Sequence, residues 1–269
     1  MNQIQVEQIP AELPDHPGNE RLKAIYAAIV ERLKEVVREY RITQDELHIA
    51  GDYLNRLGQA GFCRSLIDVA LAMTSVDVTA RIEGGTRPNL EGPFHDGAAP
   101  LRPDGNLLVE EPAPGTPVLV LSGRVTDART GAPLANATLD VWQADHEGHY
   151  HRDSLHLFGK VPVAEDGSYR VRTVVPKDYS DHDHDPIGEL FRAMGRHNRR
   201  SAHIHLKVWQ GETCLLTTQL FIPGNPYLAS DYVEGAVSDD LLIDMRPAAD
   251  GTPDLYEARF DIAVAGVAP

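Results

Sequence analysis

Arg200-Ser201-Ala202-His203-Ile204-His205-Leu206-Lys207-Val208-Trp209 reads as a β-strand that carries two histidines. Alternate strand side chains point to one face. His203 and His205 therefore share a face, and Ile204 takes the other. Two imidazoles on one face are half of a metal site. The sequence around this strand has the same character. Residues 118–126 alternate, 127–131 turn, and 137–143 alternate again. Residues 167–175, 202–209, 215–221 and 256–264 follow. Many short strands separated by turn signals predict a β-sandwich or barrel.

Upstream the period changes. From about Asn19 to Ala80 it is helical. Leu22, Ile25, Ile29, Leu33, Val36 and Val37 form one apolar stripe, and Leu47, Ala50 and Leu54 another. Thr43-Gln44-Asp45-Glu46 has the form of a capping box opening the second helix. Gly58 and Gly61 end it, and Leu66 to Met73 makes a third. Residues 84–117 are rich in Gly and Pro and predict an extended linker. The expected organisation is thus mainly β with a helical N-terminal segment. It divides into a helical domain at 1–83, a linker at 84–117 and a β-sandwich domain at 118–269.

A chain of 269 residues can bury one large core or two modest ones. Its net charge of −15 argues against nucleic acid or an anionic membrane surface as partner. A neutral phenol suits that charge better than a carboxylated one. Cys63 and Cys214 stand far apart and in no metal-type spacing. They fit a reducing compartment and are expected to be small buried residues. The stretch MNQIQVEQIPAEL has no apolar h-region, and no later run is long enough to span a membrane. A cytoplasmic location is expected.

Two tyrosines join the histidines as candidate ligands. Tyr150 closes Asp145-His146-Glu147-Gly148-His149-Tyr150, and Tyr179 closes Val174-Val175-Pro176-Lys177-Asp178-Tyr179. Loops held on a rigid scaffold commonly carry ligands. Phenolate is a hard anionic donor that favours ferric iron, and imidazole suits iron as well. Zinc sites draw on Cys, His and carboxylate instead. A strand tyrosine is more often a core aromatic, and a lone His-x-His more often a surface feature. Spacing alone does not bring the four together.

A longer pattern does. Gly123-Arg124-Val125 with Thr130-Gly131-Ala132-Pro133-Leu134, Val141-Trp142-Gln143-Ala144-Asp145, Gly148-His149-Tyr150, and Gly167-Ser168-Tyr169-Arg170-Val171-Arg172-Thr173 follow in order. Pro176 to Tyr179, Arg200 to His205 and Leu216-Thr217-Thr218-Gln219 complete the run. This stretch resembles the catalytic domain of the intradiol ring-cleavage dioxygenases. The helical third resembles the dimerisation segment of their catechol branch, which includes catechol, chlorocatechol and hydroxyquinol enzymes. The resemblance implies one Fe(III) per chain held by Tyr150, Tyr179, His203 and His205, with O2 as co-substrate. It implies a small aromatic diol opened between its hydroxylated carbons to a cis,cis-muconate, with maleylacetate from hydroxyquinol as the alternative product. It implies that Tyr179 leaves the metal as a base, that Arg200 stabilises negative charge on the ring, and that Gln219 hydrogen-bonds ligand or substrate. It also implies a homodimer through the N-terminal helices, with a tunnel able to hold phospholipid tails.

Some positions depart from the family pattern. Ser201 stands where relatives carry proline. Asp181-His182-Asp183-His184-Asp185 is charged where relatives are neutral, and it reads as a solvated loop near the mouth of the site. Leu90, Gly92, Pro93 and Phe94 resemble a pocket wall, within which Glu91 looks catechol-like and Phe94 hydroxyquinol-like. Ser65 and Asp68 align with pocket residues on the third helix. Residues 118–145 also resemble transthyretin-like binding modules, which hold no iron. Such modules have no use for both tyrosines, the His-x-His and Arg200 together.

Overall fold

The computed structural model of the chain describes residues 19–266. The leader-free reading of the first residues falls outside that range. Residues through Arg56 form one compact unit, and those from Leu57 onward form another.

The first unit is helical. Helix α1 spans Glu20–Tyr40. Asn19 caps it by accepting from the Leu22 amide at 3.0 Å, and it ends where Arg41 turns left-handed at φ 52°. No residue of α1 is buried, and Leu22, Ile25, Ile29, Leu33 and Val36 are all exposed. Helix α2, Gln44–Gln59, opens on the expected capping box. The Thr43 amide and hydroxyl both donate to Glu46 Oε2, at 2.7 and 2.9 Å. The Glu46 amide returns to Thr43 Oγ1 at 3.3 Å.

In the second unit the end of α2 is followed by a helix longer than its apolar pattern predicts. It runs from α3, Cys63–Ile67, through a π-turn, Asp68–Ala72, into α4, Met73–Thr79. A π-turn inserts one residue per turn and rotates the faces on either side, so no single 3.6-residue stripe covers the whole. Both cysteines are exposed, contrary to expectation. Neither sits at a position that packs inward.

Among the described residues, nine strands form two sheets. In the first, β1 (Val118–Asp127) lies between antiparallel β4 (Ser168–Val174) and parallel β8 (Leu255–Arg259). Strand β7 (Asp244–Pro247) pairs with β8, and β9 (Ile262–Val264) with the end of β1. The second sheet has the order β3 (Phe158–Pro162), β2 (Ala137–Gln143), β5 (His203–Gln210), β6 (Thr213–Phe221). The sheets are tied by polar bonds as well as packing. Thr173 Oγ1 donates to Gln143 Oε1 at 3.0 Å, and Gln143 Nε2 donates to the Val174 carbonyl at 2.9 Å.

The last predicted strand, 256–264, is two strands. It breaks at Phe260, whose carbonyl accepts from the Tyr169 hydroxyl at 2.6 Å while its amide donates to Ser122. Gly123 permits this approach, because a Cβ there would lie 1.8 Å from the Phe260 oxygen. Residues 84–117 hold no strand or helix. Their bridges to named strands are single ones, Leu101 to Lys160 and Asn106 to Arg172, and the other ties to the sheets are separate hydrogen bonds such as Asn89 to Thr217.

The charged run after Tyr179 is solvated only in part: Asp181, Asp183 and His184 are exposed, but His182 and Asp185 turn inward. Asp185 caps α5, Pro186–Ala193, by accepting from the amides of Ile187 and Gly188. His182 is buried, with Nδ1 2.5 Å from Asp185 Oδ2. Its ring meets Phe62 and Tyr232 edge-on. An N-cap and a buried imidazole use the residue types that, read as charge, suggest water.

Candidate metal centre

Strand β5 places His203 and His205 as its alternation requires. Their Nε2 atoms face each other at 3.0 Å. His205 Nε2 lies 3.1 Å from the Tyr150 hydroxyl, and that hydroxyl lies 3.5 Å from Tyr179's. All four predicted ligands therefore meet, although the tyrosines come from separate loops. The Tyr179 backbone pairs with Arg200, whose amide donates to the Tyr179 carbonyl at 2.8 Å. The Tyr150 loop is shaped by Asp145. Its Oδ1 accepts from the amides of Glu147 and His149, and its Oδ2 lies 2.7 Å from His151 Nε2. Asp145, Glu147 and His149 also gather ligand-type atoms within 4.8 Å. Asp145 is committed to the turn, and the other two side chains are exposed.

The protonation states suit a cation. Burial, with Arg200 nearby, pushes the His203 imidazole well below its usual range. Burial, with His203 and Arg200, does the same to His205. His203 Nδ1 donates to the Ser201 carbonyl at 2.6 Å, which leaves its Nε2 as a lone pair aimed at His205. Burial also raises both phenols above their ordinary value; the hydrogen bond with Tyr179 and then the charge of Arg200 oppose it at Tyr150, and Arg200 opposes it at Tyr179. Two neutral imidazoles and two phenols thus converge on one point. Hard anionic oxygens with imidazole nitrogens match a trivalent iron better than zinc, so the donor set fits the implied metal.

Arg200 is a buried cation, 4% exposed, not a member of a basic surface. Nε donates to Asp231 Oδ1 at 3.0 Å and Nη2 to Gln219 Oε1 at 2.6 Å. Gln219 Nε2 then donates to the Leu90 carbonyl at 2.8 Å. Both ends of that amide are therefore committed, to Arg200 and to the Leu90 carbonyl. Asp231 also accepts from the amides of Ser201 and Val233, at 2.7 and 2.9 Å. The amide of Ser201 is the donor that a proline would lack. Sequence reading did not find Asp231, because nothing near it in the chain marks it as Arg200's partner.

Residues 90–266 match the family model described as Dioxygenase, and residues 19–77 the model described as Catechol dioxygenase N terminus. The chain is an intradiol ring-cleavage dioxygenase. The dioxygenase is 37% identical over 268 residues to the 6-chlorohydroxyquinol 1,2-dioxygenase of Cupriavidus pinatubonensis, with 94% of each chain covered. Its fold superposes on 3-chlorocatechol 1,2-dioxygenase from Rhodococcus opacus 1CP with a TM-score of 0.83 at 26% identity, covering 93% of this chain and 100% of that one. Hydroxyquinol 1,2-dioxygenase from Pseudomonas putida DLL-E4 gives 0.82 at 28%, with 93% of both covered.

The dioxygenase places its predicted wall beside the four donors. The Phe94 ring stacks on Tyr150 at 4.2 Å and meets Tyr179 edge-on at 6.3 Å. Gly92 has φ 73°, and a Cβ there would approach His205 Cε1 to 3.1 Å. Leu90 contributes the carbonyl that Gln219 holds, and Pro93 lies between Gly92 and Phe94. Ser65 and Asp68 sit on the interrupted helix of the dioxygenase. Asp68 lies 3.6 Å from Arg64, and among the described residues neither makes a hydrogen bond or ring contact to the four donors. Among the described residues no helix is long and apolar enough to cross a membrane.

Proposed function

We propose that Tyr150, Tyr179, His203 and His205 hold one ferric ion and that the enzyme cleaves catechol or a substituted catechol with O2. The cleavage falls between the hydroxylated carbons and yields a cis,cis-muconate. The observation that carries the reading is the convergence of two neutral imidazole Nε2 atoms and two phenol oxygens within 3.0 to 3.5 Å. Ferric iron, when bound, supplies Lewis acidity and a template for the diol and its attack by O2.

The chain's own groups do the rest. Burial raises the Tyr179 phenol, so its phenolate is a strong base once it is no longer charge-compensated. Its oxygen is the acceptor for a diol proton. Arg200 keeps its charge in a buried place, pinned by Asp231 and Gln219. It stabilises negative charge that builds on the ring. Gly92 leaves room beside His205, and the Phe94 face orients a planar ring.

Hydroxyquinol, opened to maleylacetate, is a second reading. It is favoured by the 37% identity to a 6-chlorohydroxyquinol enzyme. The exposed apolar face of α1 supports a homodimer through the N-terminal helices, and phospholipid tails bound there belong to the same proposal. A cytoplasmic location fits the absence of a membrane-spanning helix among the described residues.

The test is iron analysis with product identification. About one ferric ion per chain and a visible tyrosinate charge-transfer band are expected. Tyr150→Phe or His203→Ala should bleach the protein. Catechol should give a colourless product absorbing in the ultraviolet, and a yellow semialdehyde would refute intradiol cleavage. A turnover panel of catechol, chlorocatechols, methylcatechols and hydroxyquinol decides the substrate.

A further inference from the structure

Strands β2 and β5 set Asp140 and Lys207 side by side as direct register partners. Both are buried. A buried ion is tolerated only when it is paired and hydrogen-bonded. Both partners come from one short stretch of the wrapping segment. Lys207 Nζ donates to Glu91 Oε2. His95 Nε2 donates to Asp140 Oδ2 at 2.8 Å, since a carboxylate only accepts. His95 Nδ1 lies 3.6 Å from Glu91 Oε1 and closes the ring of four.

The two pairs grip residues 91 and 95, and what lies between them is the pocket wall. Gly92 rests against His205, and Phe94 stacks on Tyr150. The His95 ring meets Trp142 edge-on at 4.7 Å, and Trp142 lies flat on His205. A wall without strand or helix has few backbone bonds to hold it. Here, moving it removes the hydrogen-bond partner of Asp140 or of Lys207, leaving Lys207 only the face of Trp209, 5.4 Å away. We propose that Glu91, His95, Asp140 and Lys207 are positioning residues that clamp Gly92-Pro93-Phe94 in place and thereby set how tightly the aromatic ring of the substrate is held. The inference rests on the reading of the centre given above.

Steady-state kinetics with catechol on the iron-loaded enzyme test this, using Phe94→Ala, His95→Ala, His95→Gln and Lys207→Met. Glu91 is half exposed, so in Lys207→Met it can turn to water and that variant keeps its fold. Phe94→Ala should raise KM. His95→Ala and Lys207→Met should each raise KM about tenfold with kcat within about twofold, the pattern for lost uniform binding. The visible band and iron content should be unchanged. His95→Gln, whose amide can donate to Asp140, should recover KM. The double variant Phe94→Ala/His95→Ala should be no worse than Phe94→Ala, because the clamp acts through that ring. Unchanged KM in His95→Ala and Lys207→Met beside a raised KM in Phe94→Ala overturns the clamp and leaves the site reading intact. A lower urea midpoint with unchanged KM also overturns it. Unchanged KM in Phe94→Ala overturns the wall itself, and the clamp with it.

Discussion

Trp142 lies flat against His205, with ring planes 5° from parallel and centroids 4.7 Å apart. The two histidines are held differently. His203 is fixed by a hydrogen bond from Nδ1 to the Ser201 carbonyl, while among the described residues the buried His205 Nδ1 has no hydrogen-bond partner. The orientation of His205 therefore comes from faces: the indole on one ring surface and Gly92 close to its edge. Trp142→Leu removes that support. It should lower metal retention against a chelator by about 10- to 100-fold, the scale for losing an outer partner of a ligand. Retention equal to wild type would show that the stacking orients nothing.

Arg200→Ala separates charge stabilisation from ligation. The variant should keep iron and colour and still chelate a catechol under nitrogen, seen as a spectral shift. The step after oxygen is admitted should slow by at least about a hundredfold. Loss of iron would make Arg200 structural, and full turnover would make it dispensable.

Asp127 predicts an acid dependence of stability remote from the centre. It accepts from the amides of Gly266, Thr130 and Arg129 and from the Thr130 hydroxyl. The Gly266 bond, with the turn amides, pulls its carboxyl down to about 2. The folded value lies below the unfolded one. Its contribution is therefore fully present above about pH 4 and is lost as pH falls through about 2. Asp127→Ala should lower Tm at pH 7, and the gap to wild type should close between pH 4 and 2. A gap that stays constant with pH would contradict the assignment.

The face of α1 predicts association. Ile29→Glu with Leu33→Glu puts charge in the middle of the exposed stripe. Solution scattering should give a dimer for the wild type and a monomer for the variant. Helicity should be unchanged, since both positions already face water in the single chain.

What the sequence made legible was whatever a local period or a local motif encodes. His203 and His205 share a face because strands repeat every two residues. Thr43 and Glu46 cap a helix because they are three apart. Strand β3 carries Gly159 and ends at Pro162, so its composition argues against the strand it forms. Helix α5 lay behind Asp181–Asp185, where a cap and a buried imidazole look like solvated charge. The supports of the centre were least legible. Asp231 meets Arg200 across 31 positions, and Asp140 meets His95 across 45. Only the folded sheet gives either pair a reason to exist.

The wrapping segment also dictates an order of events during synthesis. Asn89 donates its amide to the Thr217 carbonyl, and the Leu90 carbonyl is held by Gln219. Both partners lie on β6, more than 120 residues downstream. A chain leaving the ribosome amino end first has translated the wall long before the strand that fastens it. Both tyrosines and both histidines are also translated before β6 is complete. The segment around Leu90 can therefore be fastened to the sheet only once β6 has been made.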